Sequence, residues 1–224
     1  MKKQIFITGT DTGIGKTYIS YLIAKVLINK GVKVGYFKPV ETGCIPNCED
    51  AKKLSSITGQ DINEIVLYKF KNPVAPLVAE REENKKIKVE KILSHLKLLK
   101  EKYDFLIVEG AGGVSVPITK ENGKIYTYLD FINDTNLPVV IVARANLGTI
   151  NHTYLTFNVI KSYQGEILSI FLNKASKNPD LAEKTNKQIL SEMLLFENIF
   201  YTFEDEEEKN LKILENEFLK VIEN

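Results

Sequence analysis

Short apolar runs alternate along the chain with longer amphipathic stretches, a pattern typical of a parallel sheet wrapped by helices. Two of the runs, Phe105–Val108 and Val139–Val142, are apolar throughout. Because a strand covered by helices on both faces has no polar side, such runs are expected of central parallel strands. The predicted strands are Gln4–Thr8, Lys33–Lys38, Phe105–Glu109, Pro138–Ala143 and Ile167–Leu172.

The amphipathic stretches predict the helices. They are Lys16–Lys30, Asp50–Thr58, Lys88–Lys102, Tyr128–Thr135, Thr149–Ser162, Leu181–Met193 and Glu206–Ile222. Two segments, Glu41–Glu49 and Asp61–Lys85, lack a clear period, and the second is long enough to be a functional or poorly ordered loop. No repeat or linker divides the chain. We therefore expect one α/β domain over residues 1–224, with a doubly wound, mostly parallel sheet and flanking helices.

Composition narrows the class of protein. The 224 residues are 44% apolar and 26% charged, with 30 basic against 29 acidic side chains. This balance gives no electrostatic reason to expect a nucleic acid or a membrane as a partner. The N-terminal apolar run is too short for a signal peptide, and no run approaches the length of a membrane span, so we expect a cytoplasmic protein.

The chain has two cysteines, Cys44 and Cys48, which are too few for a disulfide framework. The histidines are His95 and His152, and there is no third cysteine to complete a soft-metal site. We expect free thiols in a loop, with a metal site as the minor alternative.

The strongest chemical signal is the glycine-rich segment that runs from Gly9-Thr10-Asp11-Thr12 to Gly13-Ile14-Gly15-Lys16-Thr17. It follows a predicted strand and opens a predicted helix, which is the context of a P-loop. Backbone N–H groups and the helix N-terminus would bind phosphates, Lys16 would reach the β- and γ-phosphates, and the Thr17 hydroxyl would bind Mg²⁺. Thr10 stands where the usual spacing has glycine, so a plain βα turn is the alternative.

Charged residues follow two of the predicted strands. Glu109 and Lys38 each end a strand, and parallel strands end at the ligand-binding edge of a sheet. Glu109 would therefore face the phosphates and bind Mg²⁺, with a solvent-facing residue just past the strand as the alternative. Lys38 would face either the γ-phosphate or solvent. Asp50 by itself is better interpreted as a helix N-cap than as a ligand, and Glu49 is an equally plausible ligand.

Asn173-Lys174-Ala175-Ser176 follows the last predicted strand and is similar to the guanine-reading Asn-Lys-x-Asp of GTPases. Ser176 occupies the position of the aspartate, which argues against a GTPase. The Asn173 amide could still donate to and accept from the edge of adenine, and a plain turn asparagine is the alternative.

Four separated segments together resemble the motifs of the dethiobiotin synthetase family. They are Gly9–Thr17, Lys38-Pro39-Val40-Glu41-Thr42-Gly43, Val108-Glu109-Gly110-Ala111-Gly112-Gly113 and Leu147-Gly148-Thr149-Ile150-Asn151-His152. They occur in the order of the family, and the shifted glycine at Gly9 is a feature of its P-loop. Asn72–Pro76 is similar to its proline-containing substrate loop.

The resemblance implies an ATP-dependent ligase of biotin biosynthesis. Enzymes of this family close the ureido ring of dethiobiotin from 7,8-diaminopelargonic acid, CO₂ and ATP. One amine takes up CO₂ as a carbamate, and a carbamate oxygen attacks the γ-phosphate to give a carbamic–phosphoric anhydride. The second amine then attacks the carbonyl and releases phosphate. A carbamate is already an anionic nucleophile, so no histidine base is needed.

The resemblance also implies roles for individual residues. Those implied in catalysis are Lys16, Lys38 and Thr12, and those implied as Mg²⁺ ligands are Thr17, Asp50 and Glu109. Those implied in ATP binding are Gly13, Ile14, Gly15, Lys16, Thr17, Tyr18 and Asn173. Those implied in substrate binding are Lys38, Thr42, Gly112, Gly148 and Asn151.

The family is also implied to form homodimers with shared active sites. The helix start at Gly148–Asn151 would receive the carboxylate of the substrate across the interface, since a helix N-terminus binds anions. We interpret His152 as structural.

Two other classes of protein remain open. A related ATP-dependent enzyme, such as a cobyrinic acid diamide synthase, usually carries a glutamine-hydrolysing domain, for which we see no sequence. A nucleotide switch of the partitioning-ATPase type generally has a second lysine early in its P-loop, where this chain has Thr10 and Asp11. The synthetase fits the motifs better than either.

Overall fold

The computed structural model describes residues 3–223 and contains a central sheet with helices on both faces. The strands are β1 (Gln4–Gly9), β2 (Val34–Thr42), β3 (Val66–Phe70), β4 (Phe105–Gly113), β5 (Pro117–Glu121), β6 (Lys124–Thr127), β7 (Val139–Arg144), β8 (Ile167–Ala175) and β9 (Ile199–Phe203). All but β5 and β6 belong to the central sheet, and those two form a separate antiparallel hairpin.

The helices alternate with the strands of the central sheet. They are α1 (Lys16–Asn29), α2 (Glu49–Thr58), α3 (Ile62–Ile65), α4 (Pro76–Glu82), α5 (Val89–Lys102), α6 (Tyr128–Thr135), α7 (Thr149–Ser162), α8 (Leu181–Leu194), α9 (Glu207–Ile213) and α10 (Leu219–Glu223). A π-helical turn, Leu214–Phe218, joins the last two, so the predicted final helix is one helical segment with a wider turn inside it. In the described part of the chain, no helix has both the length and the apolar character needed to cross a membrane.

The seven strands of the central sheet lie in the order β3-β2-β4-β1-β7-β8-β9, and every neighbouring pair is parallel. β1 is central, with Ile7 paired to Glu109 on β4 and to Val140 on β7. Apolar side chains above and below the sheet form two buried clusters. The predicted doubly wound α/β fold is confirmed.

The order of strands places the P-loop at the middle of the carboxyl edge. The loop after β1 is flanked by β4, which carries Glu109 at its middle, and by the end of β7. Strand β2, which carries Lys38 at its middle and Thr42 at its end, lies one strand further out. The topology therefore gathers the predicted phosphate and metal groups at one edge of the sheet.

Several elements lie outside the predicted strands and helices. Asp61–Lys85 was expected as a loop, but it holds α3, the edge strand β3 and α4. The hairpin and the other edge strand, β9, were also missed. Edge strands are short and half exposed, so β3 alternates buried and partly buried positions and gives no continuous apolar run.

Candidate active site

The segment from Gly9 to Thr17 forms a compact loop between β1 and α1. Gly15, the residue before α1, has a φ of 96°, and a side chain there would collide with the amide of Asn173. The Lys16 ammonium donates to the carbonyl of Asp11 within the same loop, at 3.2 Å. The local structure is therefore that of a phosphate-binding loop that leads into a helix N-terminus.

Three polar side chains donate to the fully buried carboxylate of Glu109. The Thr17 hydroxyl and the Lys38 ammonium donate to its Oε1 at 2.8 and 3.1 Å, and the Ser20 hydroxyl donates to its Oε2 at 2.7 Å. Lys38 also donates to the carboxylate of Asp50. Helix α1 and strands β2 and β4 thus converge on one buried network of charges.

The environment shifts the pKa values of this network. Burial lowers the pKa of Lys38, but the carboxylates of Glu109 and Asp50 reverse this and hold it above its ordinary value. Burial likewise raises the pKa of Asp50, and the neighbouring Lys38 outweighs burial and lowers it. Burial lowers the pKa of Lys16, opposed in part by Glu109. Lys38 and Asp50 therefore remain ionised at neutral pH.

Glu41 shapes the connection between β2 and α2. Its buried carboxylate accepts hydrogen bonds from the backbone N–H groups of Asp50 and Ala51, at 3.1 and 3.2 Å. Helix α2 begins at Glu49 with Cys48 as its N-cap, so the interpretation of Asp50 as an N-cap is wrong. Asp50 lies in the first turn, where its side chain reaches Lys38.

The expectation of free thiols is also wrong. Cys44 and Cys48 are buried and joined in a disulfide, with their Cα atoms 4.1 Å apart, because the chain folds back between β2 and α2. The carboxylate of Glu41 lies within 4.8 Å of both sulfurs. Sulfurs that are bonded to each other are not thiolate ligands, so the disulfide disfavours the alternative of a metal site here.

A cavity of about 520 Å³ opens beside the buried charges. Its walls come from the P-loop, from the carboxyl ends of β2 and β4, from α2 and from the segment Pro73–Pro76. The predicted site residues that line it are Thr12, Gly13, Gly15, Lys16, Thr17, Lys38, Thr42, Asp50, Glu109 and Gly112. Glu49, the alternative ligand to Asp50, is exposed and is not among the lining residues.

Asn173 and Tyr18, two of the predicted ATP-binding residues, lie outside this wall. The Asn173 side chain is buried behind the P-loop, where it donates to the Ile14 carbonyl and accepts from the Thr202 hydroxyl, both at 2.7 Å. Its observed partners are therefore those of a structural amide that supports the loop. Tyr18 accepts from the buried amide of Asn210 at 2.9 Å. The side chain of Ile14 packs into the core.

The predicted substrate-binding helix start lies apart from the cavity lining. Gly148 caps α7 with a φ of 91°, and both Gly148 and Asn151 are exposed. His152, which we interpreted as structural, is exposed on the same turn. Leu147 beside them is 80% exposed, so this corner presents an apolar side chain to solvent.

Three residues at the site were missed in the sequence. Ser20 contacts Glu109, Glu41 holds the start of α2, and Arg144 donates to Asp11 in the P-loop at 3.2 Å. A signal for Ser20 was present, because it lies one helical turn after Thr17 and on the same face. Glu41 lay inside a matched motif but without a role.

Sequence comparison gives the family. A family model described as an AAA domain matches residues 3–199. The ATP-dependent dethiobiotin synthetase BioD of Aquifex aeolicus is 48% identical over 85% of this chain and 84% of its own length. That of Thermodesulfovibrio yellowstonii is 41% identical over 87% and 85%, and that of Endomicrobium trichonymphae is 39% identical over 96% and 100%. The chain belongs to the dethiobiotin synthetase family. The resemblance in the four motifs is therefore confirmed, and with it an ATP-dependent ligase of biotin biosynthesis.

Comparison of folds reaches more distant proteins than the dethiobiotin synthetases. A plasmid partition protein from Borrelia burgdorferi matches 99% of this chain and 100% of its own, with a TM-score of 0.64 and 17% identity. The MinC:MinD cell division complex of Aquifex aeolicus contains a chain that matches with a TM-score of 0.57 and 14% identity. At such identity the likeness shows the shared sheet and P-loop architecture alone.

Proposed function

We propose that this dethiobiotin synthetase closes the ureido ring of dethiobiotin from 7,8-diaminopelargonic acid and CO₂, through a carbamate and a carbamic–phosphoric anhydride. The observation that carries the proposal is the convergence of two lysines and two carboxylates on one cavity beside a P-loop. Transfer of a phosphoryl group needs its negatively charged oxygens to be held in place and stabilised. Lysine ammonium groups and a metal bound by the carboxylates would do both.

Lys16 and Lys38 would bind the oxygens of the γ-phosphoryl group while it is transferred from ATP to the carbamate. Both ammonium groups lie at the cavity wall, and Lys38 is 6% exposed, with its charge fixed by two carboxylates. Thr12 and the backbone of Gly13 and Gly15 would complete the phosphate cradle. No side chain has to remove a proton from the nucleophile, because a carbamate oxygen already carries the negative charge.

Thr17, Asp50 and Glu109 would hold Mg²⁺. The set fits this ion, because hydroxyl and carboxylate oxygens are the ligands that Mg²⁺ prefers, and Thr17 Oγ1 and Glu109 Oε1 lie 2.8 Å apart. Asp50 stands on the other side of Lys38. When bound, Mg²⁺ would neutralise negative charge on the phosphate oxygens.

The diamine would lie between the phosphate cradle and the segment Pro73–Pro76. This segment, Thr42, Gly112 and Val116 all line the cavity. Apolar side chains there suit the hydrocarbon chain of the substrate. The left-handed φ of 73° at Gly112 lets the backbone pass close to Thr12 and Val116.

The far end of the diamine carries a carboxylate, and we propose that a second copy of the chain binds it. Gly148 and Asn151 are exposed at the N-terminus of the 14-residue helix α7 but do not line the cavity of their own chain. A homodimer would bring this helix start to the neighbouring site, where its N–H groups attract an anion. The exposed side chain of Leu147 would then be covered.

The experiment that tests the proposed reaction is phosphate release from ATP and Mg²⁺, with and without the diamine and bicarbonate. We expect release to require both and a ureido product to appear by mass spectrometry. Release that ignores the diamine would contradict the proposed reaction. The dimer is tested by mixing Asn151→Ala with Lys16→Ala, because complementary sites across an interface would restore activity that neither variant has alone.

A further inference from the structure

Ser20 is a buried polar residue for which the reaction has no assigned use. It lies in α1, between Ile19 and Tyr21, and its side chain is fully buried. A buried serine inside a helix often donates back to the carbonyl four residues earlier. Here its hydroxyl donates instead to Glu109 Oε2 across the gap between α1 and β4, at 2.7 Å.

The two oxygens of Glu109 have different surroundings. Oε1 accepts from Thr17 and Lys38, which both line the cavity, whereas Oε2 accepts from Ser20, which does not. The terminal torsion of a glutamate side chain has broad, two-fold minima and is poorly fixed by itself. A hydrogen bond to one oxygen therefore determines which way the other one points.

We propose that Ser20 is a positioning residue for the metal site: its hydroxyl holds Glu109 so that Oε1 is directed to the position of Mg²⁺. The inference rests on the proposed role of Glu109 as a ligand. Thr17 and Ser20 lie three residues apart on one helix face, so α1 supplies both a ligand and the group that orients a second ligand. Any shift of α1 moves both together.

Outer-shell groups of this kind typically change metal affinity by about 10- to 100-fold when they are removed. Ser20→Ala removes the hydroxyl that donates to Oε2 of this buried carboxylate. We expect the Mg²⁺ concentration for half-maximal binding of a non-hydrolysable ATP analogue to rise about tenfold. Binding of the same analogue in EDTA should be unchanged, because the P-loop contacts are intact.

The matched control is Ser169→Ala in β8. Ser169 is also a fully buried serine, but its hydroxyl has no hydrogen-bond partner among the described residues. Loss of this hydroxyl should leave the Mg²⁺ concentration for half-maximal analogue binding (the Mg²⁺ midpoint) the same as in the unmodified protein. Ser20→Thr keeps a hydroxyl on α1 and should restore most of the Mg²⁺ affinity that Ser20→Ala loses. Both are read by calorimetric titration, with melting temperatures recorded beside them.

The Glu109→Gln variant distinguishes the positioning role of Ser20 from the proposed role of Glu109 as a metal ligand. If Glu109→Gln shifts the Mg²⁺ midpoint and Ser20→Ala does not, the role of Ser20 is refuted while the metal site stands. If neither variant shifts it, the metal site itself is wrong. A fall in analogue binding by Ser20→Ala that is equally large in EDTA would also refute the positioning role, since it would point to a general distortion of α1.

Discussion

The P-loop is supported on its two sides by different kinds of chemistry. On the charged side, Lys38 forms ion pairs with the buried Glu109 and the half-exposed Asp50, beside Lys16 and Thr17. The amide side consists of Asn173, Thr202 and Asn210. There, Asn173 fastens the P-loop to β9, and Asn210 bonds both the N–H and the carbonyl of Phe203 at 2.8 Å.

The two sides differ in what their partners can do. Amide side chains that bond backbone atoms are satisfied within the protein and have no charge to exchange with a ligand. On the charged side, the lysine and the carboxylates are one another's partners. The lysine can exchange a carboxylate for a phosphate, and a carboxylate can exchange the lysine for a metal ion. We infer that the charged side carries out the chemistry while the amide side fixes the shape of the loop.

The largest expected effect is that of Lys16→Ala. The loss of an ammonium group that stabilises the transferred phosphoryl group should lower kcat by about 10²–10³-fold. The free energy of unfolding should hardly change, since among the described residues the Lys16 ammonium donates only to the Asp11 carbonyl. Phosphate release and thermal melting measure the two quantities. Lys30→Ala at the exposed end of α1 is the control, and near-normal turnover by Lys16→Ala would refute the P-loop assignment.

Glu109→Gln should affect both activity and stability. It removes one of the two carboxylates that balance Lys38, and the breaking of a buried ion pair typically costs about 3–5 kcal/mol. We expect kcat to fall about 10²-fold and the melting temperature to fall as well. Glu49→Gln is the matched control, because Glu49 is an exposed glutamate in the first turn of α2, next to Asp50. Equal effects from both variants would show that Glu109 has no special position.

Asn173→Ala tests the amide side. Loss of the two hydrogen bonds at 2.7 Å should destabilise the protein by about 1–3 kcal/mol and raise the KM for ATP several-fold with little change in kcat. If Asn173 only supports the loop, kcat/KM for ATP and for GTP should fall by the same factor. A loss specific to ATP would support the predicted contact with adenine instead. Asn186→Ala, which removes a buried amide bonded to the Ala145 carbonyl, is the control.

The smallest expected effect is a dependence of stability on pH at Glu41. Burial raises the pKa of this carboxyl to about 6 from 4.5. The folded protein therefore binds this proton more tightly than the unfolded chain does, and stability falls as pH rises from about 4.5 to 6. A shift of this size is worth about 2 kcal/mol. The Glu41→Gln variant should lack this component, and chemical unfolding at pH 4.5 and 7 measures the difference.

The sequence predicted the central strands and the charged side better than the periphery. The central strands are apolar runs, which made them recognisable. Lys38 and Glu109 directly follow such runs, and since parallel strands end at the same edge of a sheet, their proximity could be predicted. The hairpin was missed although its Asn122-Gly123 tip is a typical two-residue turn between β5 and β6. Nothing local marks β3 or β9 with equal clarity, since both are short edge strands.

The partners of individual side chains were harder to foresee. Asn173 was expected at the base of ATP because an amide can read adenine, yet the structure gives it backbone and hydroxyl partners. The contact between Ser20 and Glu109 joins residues 89 positions apart. Such contacts depend on how a helix packs against a strand, and the pattern of polar and apolar residues along the sequence does not predict this. Cys44 and Cys48 were mispredicted because their distance depends on the path of a loop.

The pairing of Lys38 with the two carboxylates of Asp50 and Glu109 has a consequence for the form of nucleotide that binds. Free ATP would have to displace the carboxylates from Lys38 and would set its own negative charge beside theirs. When ATP is already complexed with a divalent cation, Lys38 can exchange the carboxylates for phosphate while the carboxylates bind the cation. No charge is then left uncompensated. If these carboxylates hold the metal as we propose, they would disfavour binding of the uncomplexed nucleotide, and turnover would follow the concentration of the metal complex more closely than that of total ATP.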